Sequence, residues 1–386
     1  MSARGDYIVV EWSGGGGIGH YSYLLADALA RAGLPAVLAT RVGHELEGAV
    51  PQAARVSRAW PAAPRRLRGR ARRAVIATQW NLGWLRVVGA ALRARLRGRP
   101  ATVHLQAPES MAELVVMAAL RPLVDRLVIT AHNAVPHDSP GLGRIVHRGT
   151  YRLPHLIISQ SESEARLVRG LAGRRTRVGV IAHGTYGPIA DAFPSPPADG
   201  GDGTVTVAHL GSLRPYKGFD TVVAAFALAL EEDPSLRLRV VGRAADEEGV
   251  RRLAAALPPG RATIDLRYLS IEELVHEARA ADMLLLGHRR ASESGILHLA
   301  LAAGTPVVGP DIAGIGRLLS GRPSWLYAPG DARAASRALR AMAAATRDDR
   351  DALRTAARAI ADGSAPDWDE VARAHLALLD PPEATR

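Results

Sequence analysis

Cysteine is missing from all 386 residues, which leaves no disulfide framework and no thiolate metal site. No apolar run approaches the roughly 18 residues of a membrane-spanning helix, so no span is expected. The opening MSARGDYIVVEW enters a strand pattern without an apolar leader, and a cytoplasmic protein is the expectation. Aromatic residues are scarce at 4 %, yet 47 % of the chain is hydrophobic, a composition of globular α/β domains rather than disorder. The length is enough for two domains, each with its own core.

Two further scarcities concern charge. Lys217 is the only lysine, against 48 arginines. A general arginine bias accounts for most of the guanidinium groups but not for the one ammonium. A compact ammonium is least replaceable where a tight point charge is required, which makes Lys217 a candidate functional residue. Acidic residues are absent from Gly48 to Pro108, a stretch that holds thirteen arginines from Arg55 to Arg99. The remaining 36 basic residues nearly balance the 38 acidic ones, so this one segment carries the net charge of +11. The spacing predicts a cationic loop or short helix over 61–73 and a helix over Trp80–Leu96, where Trp80 and Trp84 interleave with arginines. Such a pattern suits an anionic membrane surface, with peripheral attachment there as the corresponding location. Nucleic acid is the competing polyanion, without an RNP or zinc pattern to support it, and a plain solvated face is the third account.

Three turns at the carboxyl ends of expected strands hold the candidate chemistry. The strand Tyr7–Trp12 opens onto a run in which Gly14, Gly16 and Gly19 satisfy G-x-G-x-x-G ahead of a helix. A dinucleotide site wants an acid after the second strand, where Thr40-Arg41 stand instead. Arg41 suits a 2′-phosphate, so an NADP-dependent oxidoreductase is a competing reading. The strand Arg126–Thr130 ends in Ala131-His132-Asn133-Ala134-Val135-Pro136-His137-Asp138, where open α/β sheets place their ligands. The third turn, within Ala281–Val308, leads from the strand Met283–Leu286 through His288–Ser294 to a helix at Gly295–Ala303. Ser294 is a suitable N-cap, and Gly295 presents no side chain to keep a phosphate off the backbone. The free first-turn N–H groups, the helix dipole and the upstream Arg289 and Arg290 all favour an anion. An ordinary strand–loop–helix crossover is the alternative.

Several of these strings together resemble the group 1 sugar transferases, the large retaining family 4 type with the two-domain GT-B fold. Gly287 to Ile296 is similar to the family's P-Y-R-x-(A/S)-T-Q-S-G-(V/I) stretch, whose backbone holds a donor diphosphate. Gly211-Ser212-Leu213-Arg214-Pro215-Tyr216-Lys217-Gly218-Phe219-Asp220 is similar to G-x-(I/L)-R-x-Y-K-G-(L/F/I)-(D/E), where an Arg and a Lys neutralise the leaving nucleoside diphosphate. The string from His132 resembles H-N-x-x-P-H-(E/D), and Ile181-Ala182-His183-Gly184-Thr185-Tyr186 resembles I-P-H-G-x-Y. The resemblance implies His132, Arg214 and Lys217 as catalytic residues. Donor contacts would come from Gly211, Arg214, Lys217, Gly242, Arg243, Arg289, Glu293, Ser294, Gly295 and Ile296. Acceptor contacts would come from Gly16, Gly17, Gly19, His20, Asn133, His137 and His183. The family's paired glutamates are not kept: Ala291 and Leu299 stand at those positions, as in a subset that retains Ser-Gly-Val.

The resemblance implies an α/β architecture of two Rossmann-like domains facing a cleft. The expected divisions are an acceptor domain at 1–187, a linker at 188–203, a nucleotide-sugar domain at 204–365, and a C-terminal helix at 366–386 crossing back to the first domain. The expected activity is sugar transfer, with retention, from a nucleoside-diphosphate sugar to a glycan, lipid-linked or small-molecule acceptor. No D-x-D stands in the strand-end turns, and two cations with a row of N–H groups can meet the leaving-group charge. No metal and no cofactor beyond the donor are therefore expected. A catalytically inactive basic binding module is the remaining alternative.

Overall fold

The protein is represented by a computed structural model that describes residues 5–62, 69–106, 108, 110–132, 142–194, 203–290 and 293–379. Asn133 and His137 lie outside the described residues. The chain divides into two compact units, Met1–Gly184 with Asp367–Arg386, and Thr185–Pro366.

In the first unit the strands are β1 (Asp6–Val10), β2 (Ala36–Arg41), β3 (Arg55–Trp60), β4 (Ala101–Gln106), β5 (Arg126–Ala131), β6 (Leu156–Ser159) and β7 (Arg177–Val180). They are joined by the helices α1 (Gly16–Arg31), α2 (Gly69–Leu96), α3 (Met111–Leu120), α4 (Leu142–Arg152) and α5 (Glu162–Leu171). The strands pair in parallel in the order β3-β2-β1-β4-β5-β6-β7. Central strands such as β4 are buried along their whole length, as befits a parallel sheet covered on both faces. The edge strand β3 is exposed at Arg55, Ser57 and Arg58, and turns inward only at Ala59 and Trp60. A capping box between Ser110 and Glu113 starts α3, and the Ser161 side chain accepts the Glu164 N–H to start α5.

The second unit begins with α6 (Gly187–Ala192). It continues as β8 (Val205–Leu210), α7 (Phe219–Leu230), β9 (Leu236–Val241), α8 (Glu247–Ala254), β10 (Ala262–Asp265) and α9 (Ile271–Ala280). Then follow β11 (Met283–Leu285), α10 (Gly295–Ala302), β12 (Val307–Pro310), α11 (Ala313–Leu319), β13 (Leu326–Tyr327), α12 (Ala332–Ala343) and α13 (Arg347–Gly363). Its sheet, also parallel, runs β10-β9-β8-β11-β12-β13. Both sheets thus reverse direction beside their first strand, the crevice where doubly wound folds bind ligands. The last helix, α14 (Trp368–Leu379), belongs to the first unit, where it packs on α1. Trp368 lies against Tyr21 at 5.3 Å between ring centres, and Arg31 pairs with Asp369.

Three expectations need adjustment. The linker expected at 188–203 begins as helix α6, tied to the second unit by the Arg358–Asp191 ion pair (2.9 and 3.1 Å) and by Arg279, which donates to the carbonyls of Ala190 and Phe193. Its short Gly-Pro-Ile-Ala-Asp-Ala segment has too few turns to show a periodicity. The helix expected at Trp80–Leu96 starts at Gly69, because alanine and arginine are good helix formers and nothing between breaks the run. The edge strand β3 has no clean alternation and goes unpredicted. Among the described residues no helix is long and apolar enough to cross a membrane.

Candidate functional site

In the second unit the turns after β8 and β11 meet at the strand reversal. Gly218 adopts φ +62°, and a Cβ there would stand 2.0 Å from the Gly287 carbonyl oxygen, so only glycine allows the two backbones to touch. The Arg289 N–H donates to the Tyr216 carbonyl at 2.8 Å, and Arg289 also pairs with Asp220 at the start of α7. The turn after β9 joins them: Leu213 N–H donates to Arg243 O at 2.9 Å, and a Cβ on Gly242 would fall 1.8 Å from Gly211 O. Gly211, Arg214, Lys217, Gly242, Arg243 and Arg289 are therefore brought together on three linked turns.

Lys217 ends a single 3-10 turn that starts at Pro215, and its Nζ is 3.7 Å from the place a Cβ on Gly211 would take. It is half-buried. Burial, and secondarily the Arg214 guanidinium, push its ammonium down to about 8. A cation held in that state gains from any arriving anion. Arg214 and Arg243 are exposed.

The helix α10 starts at Gly295 with Ser294 as its N-cap residue. Ser294 is buried, but its side chain makes no capping hydrogen bond, contrary to the expectation from its residue type. Leu297 N–H donates to the Ser294 carbonyl at 2.9 Å, which leaves the Gly295 and Ile296 N–H groups at the positive end of the helix dipole. Glu293 is engaged within the unit: one oxygen accepts from Arg317 at 2.9 Å, and the other lies 3.2 Å from His298 Nε2. Its side chain is 5 % exposed, so it braces α10 against α11 rather than reaching outward.

His209 escaped the sequence reading. At the end of β8, its Nδ1–H donates to the Leu285 carbonyl at 2.9 Å and stitches β8 to β11 under the turns. Burial first, and the charge of Lys217 last, bring it down to about 4, so it adds no competing positive charge there. The only sequence signal was its place one residue before Leu210 and the Gly211 turn.

The first unit's reversal differs. Gly16 opens α1, and Gly17, Gly19 and His20 lie in its first turns. The Glu11 carboxylate, 4 % exposed, accepts from the N–H groups of Ser13 (2.6 Å) and Gly14 (3.0 Å) and from the Thr40 hydroxyl (3.2 Å). Glu45 accepts from Gly16 N–H at 3.4 Å and lies 2.7 Å from His20 Nε2. Two carboxylates thus occupy the turn that a dinucleotide's pyrophosphate would need, which removes the physical basis for the NADP reading. Arg41 sits over the Trp12 ring at 5.9 Å.

His132 and His183 gather around Tyr21, with ring centres at 4.9 and 5.2 Å. His132 Nε2 bonds Gln106 Oε1 at 2.9 Å, and its Nδ1 accepts from the Gln160 amide at 3.4 Å. Burial pushes its pKa down to about 4. Both ring nitrogens are held by amides, so His132 is an oriented neutral ring rather than a proton carrier. His183 lies 2.7 Å through Nδ1 from the Gly184 carbonyl.

The profile described as "Glycosyl transferases group 1" matches residues 199–360, and "Glycosyl transferase 4-like domain" matches residues 16–184. The chain belongs to the group 1 glycosyl transferases. Its GT-B fold is shared with the Anabaena protein HepE solved with UDP and glucose, at TM-score 0.70 and 18 % identity over 97 % of this chain and 99 % of that one. The sucrose-phosphate synthase of Thermosynechococcus elongatus is similar at TM-score 0.68 and 19 % identity, covering 97 % and 98 %. A GDP-mannose:glycolipid 4-beta-D-mannosyltransferase of Xanthomonas campestris pv. campestris is 28 % identical over 57 % of this chain and 64 % of its own length. A D-inositol 3-phosphate glycosyltransferase of Corynebacterium efficiens is 36 % identical over 28 % and 27 %. The chain therefore spans less than two thirds of the length of these curated relatives.

Proposed function

We propose that this chain transfers a sugar, with retention and without a metal, from a nucleoside-diphosphate sugar to an acceptor hydroxyl on a glycan, lipid-linked or small-molecule compound. The observation that carries the reading is the contact of the turns after β8 and β11, which sets the half-buried Lys217 beside the turn leading into the uncapped start of α10. A leaving diphosphate develops charge as the glycosidic bond breaks, and preorganised cations and N–H groups lower the barrier for that step. Lys217 and Arg214 supply the cations, and Ser294, Gly295 and Ile296 the backbone donors. Gly242 and Arg243 stand on the adjoining turn, which suits the nucleoside. The relatives named for GDP-mannose transfer and solved with UDP support a nucleotide-sugar donor.

The acceptor falls to the first unit, at Gly16, Gly17, Gly19, His20, His132 and His183. A specific observation favours a second stereochemical reading: His20 Nε2 lies 2.7 Å from Glu45, a pair suited to taking an acceptor proton in an inverting displacement. The anomeric configuration of the product, read by proton NMR, decides between them. The cytoplasm, where the chain would meet its donor, is the proposed location.

Thermal-shift measurements against UDP, GDP, dTDP and ADP test the donor assignment. One diphosphate at a hundredfold excess over its Kd should stabilise the protein by about 2.7 kcal/mol. The reading fails if none of the four raises the melting temperature, and NADPH raises it instead.

A further inference from the structure

Helix α2 has two apolar stripes, and only one of them faces the protein. Gly83, Trp84, Val87, Ala91 and Ala94 are buried against the sheet. Leu82, Leu85, Leu92 and Leu96 are 46, 64, 40 and 77 % exposed. Their spacings of three, seven and four residues put these leucines on one line, opposite the buried stripe at about 100° per residue. On the same wheel Arg93 falls along one side of the leucine line, and Arg70 and Arg95 along the other, all three exposed, while Arg86 turns back to donate to the Ala59 carbonyl at 2.6 Å. The neighbouring α3 turns outward Met111, Ala112, Val115, Ala118 and Ala119, with no charge among them.

The placement of charge is costly for an isolated helix. Arg70, Arg72 and Arg73 occupy the first turns of α2, where the dipole disfavours cations and no acid offsets them. Among the described residues no acid pairs with these arginines and no side chain covers the four leucines. A second copy would set arginine flank against arginine flank. A nucleic-acid backbone would answer the arginines but leave the leucine line in water. An anionic bilayer answers both, taking the leucines below its headgroups while the arginines reach the phosphates.

We propose that the outer faces of α2 and α3 dock on an anionic membrane surface, with α2 lying in the interfacial plane. This rests on α2 and α3 alone and not on the transferase reading. The test is sedimentation of the full chain with phosphatidylcholine vesicles, with and without a quarter phosphatidylglycerol. Binding is expected to the mixed vesicles and not to pure phosphatidylcholine. Leu85→Gln with Leu92→Gln should weaken it by roughly tenfold or more, and Arg93→Gln with Arg95→Gln by roughly fivefold per cation. Both pairs are exposed, so the melting temperature and its shift by nucleoside diphosphate should stay unchanged, which separates this proposal from the donor assignment. Absence of vesicle binding overturns it. So does vesicle binding indifferent to both variants, a leucine-dependent dimer by light scattering that does not sediment with vesicles, or binding to duplex nucleic acid alone.

Discussion

The turn after β1 and the turn after β8 occupy the same place in two sheets of like strand order, and their electrostatics are opposite. After β1 the glycine-rich backbone folds around protein carboxylates, Glu11 and Glu45. After β8 a lysine and an arginine stand at the turn, and Asp220, at the start of α7, is held by Arg289. A glycine-rich strand–helix turn is therefore not in itself an anion site; the side chains that fill it decide. One chain has used the same backbone device once to hold its own carboxylates and once, in the function proposed above, to receive a diphosphate.

The comparison breaks most visibly at Lys217. Lys217→Ala should lower kcat by roughly a hundred- to a thousandfold, the effect of losing one preorganised charge at a leaving group. Lys217→Arg should fail to restore it, because a planar fork does not fit the half-buried place of a compact ammonium. Steady-state rates with the donor identified by thermal shift check both variants, and rates within threefold of the parent would discard the assignment. Next in size is Gly218→Ala. It adds a Cβ 2.0 Å from Gly287 O at φ +62°, so the turns must part. A loss of at least about 2 kcal/mol in a denaturant melt is expected, with weaker diphosphate binding.

A smaller effect sharpens the same point through pH. Lys217 sits at about 8 in the folded chain against 10.5 for the free side chain. Between those values the unfolded chain binds more protons, so the stability of the ligand-free protein should rise with pH across that window. Diphosphate affinity should move the other way, falling by about tenfold per pH unit at most once the ammonium loses its proton above 8. Calorimetric titration at pH 7 and pH 9 measures the second slope and thermal melts the first. Parallel slopes would mean that Lys217 does not meet the ligand.

Much of this was legible without coordinates, and the reason is local. Lys217 stood out because it is a lone lysine, and Ser294-Gly295 because a strand end, a small residue and a helix start are adjacent in sequence. The final helix, Trp368–Leu379, came from the family resemblance and not from a pattern of its own. What stayed hidden depends on distant partners. Glu45 reaches Gly16 across 29 residues, and nothing near either residue announces it. His209 reads as one more strand residue until β11, 76 positions later, supplies its acceptor. Glu293 was expected to face a ligand, but Arg317, 24 residues on, holds its carboxylate inside. In α2 the basic helix was legible but not its orientation: two opposed apolar faces cancel, and Trp84, read as facing outward among the arginines, is buried while the leucines are exposed.

The smallest expected effect is the one that would most directly reverse the comparison. Glu45→Gln removes a negative charge beside Gly16 N–H while keeping the side chain's shape, so the first turn becomes a better anion site than it is now. If the diphosphate binds the second unit, its affinity for the variant should stay within about twofold of the parent, since the change is made in the other turn. Acceptor turnover should still fall, because His20 loses the carboxylate 2.7 Å from its Nε2. A clear tightening of diphosphate binding by titration calorimetry would mean the opposite: the carboxylate had been repelling the ligand, and the phosphate belongs to the turn after β1. The paired readout matters here, because a structural collapse of the turn would weaken both measurements together, and neither reading predicts that.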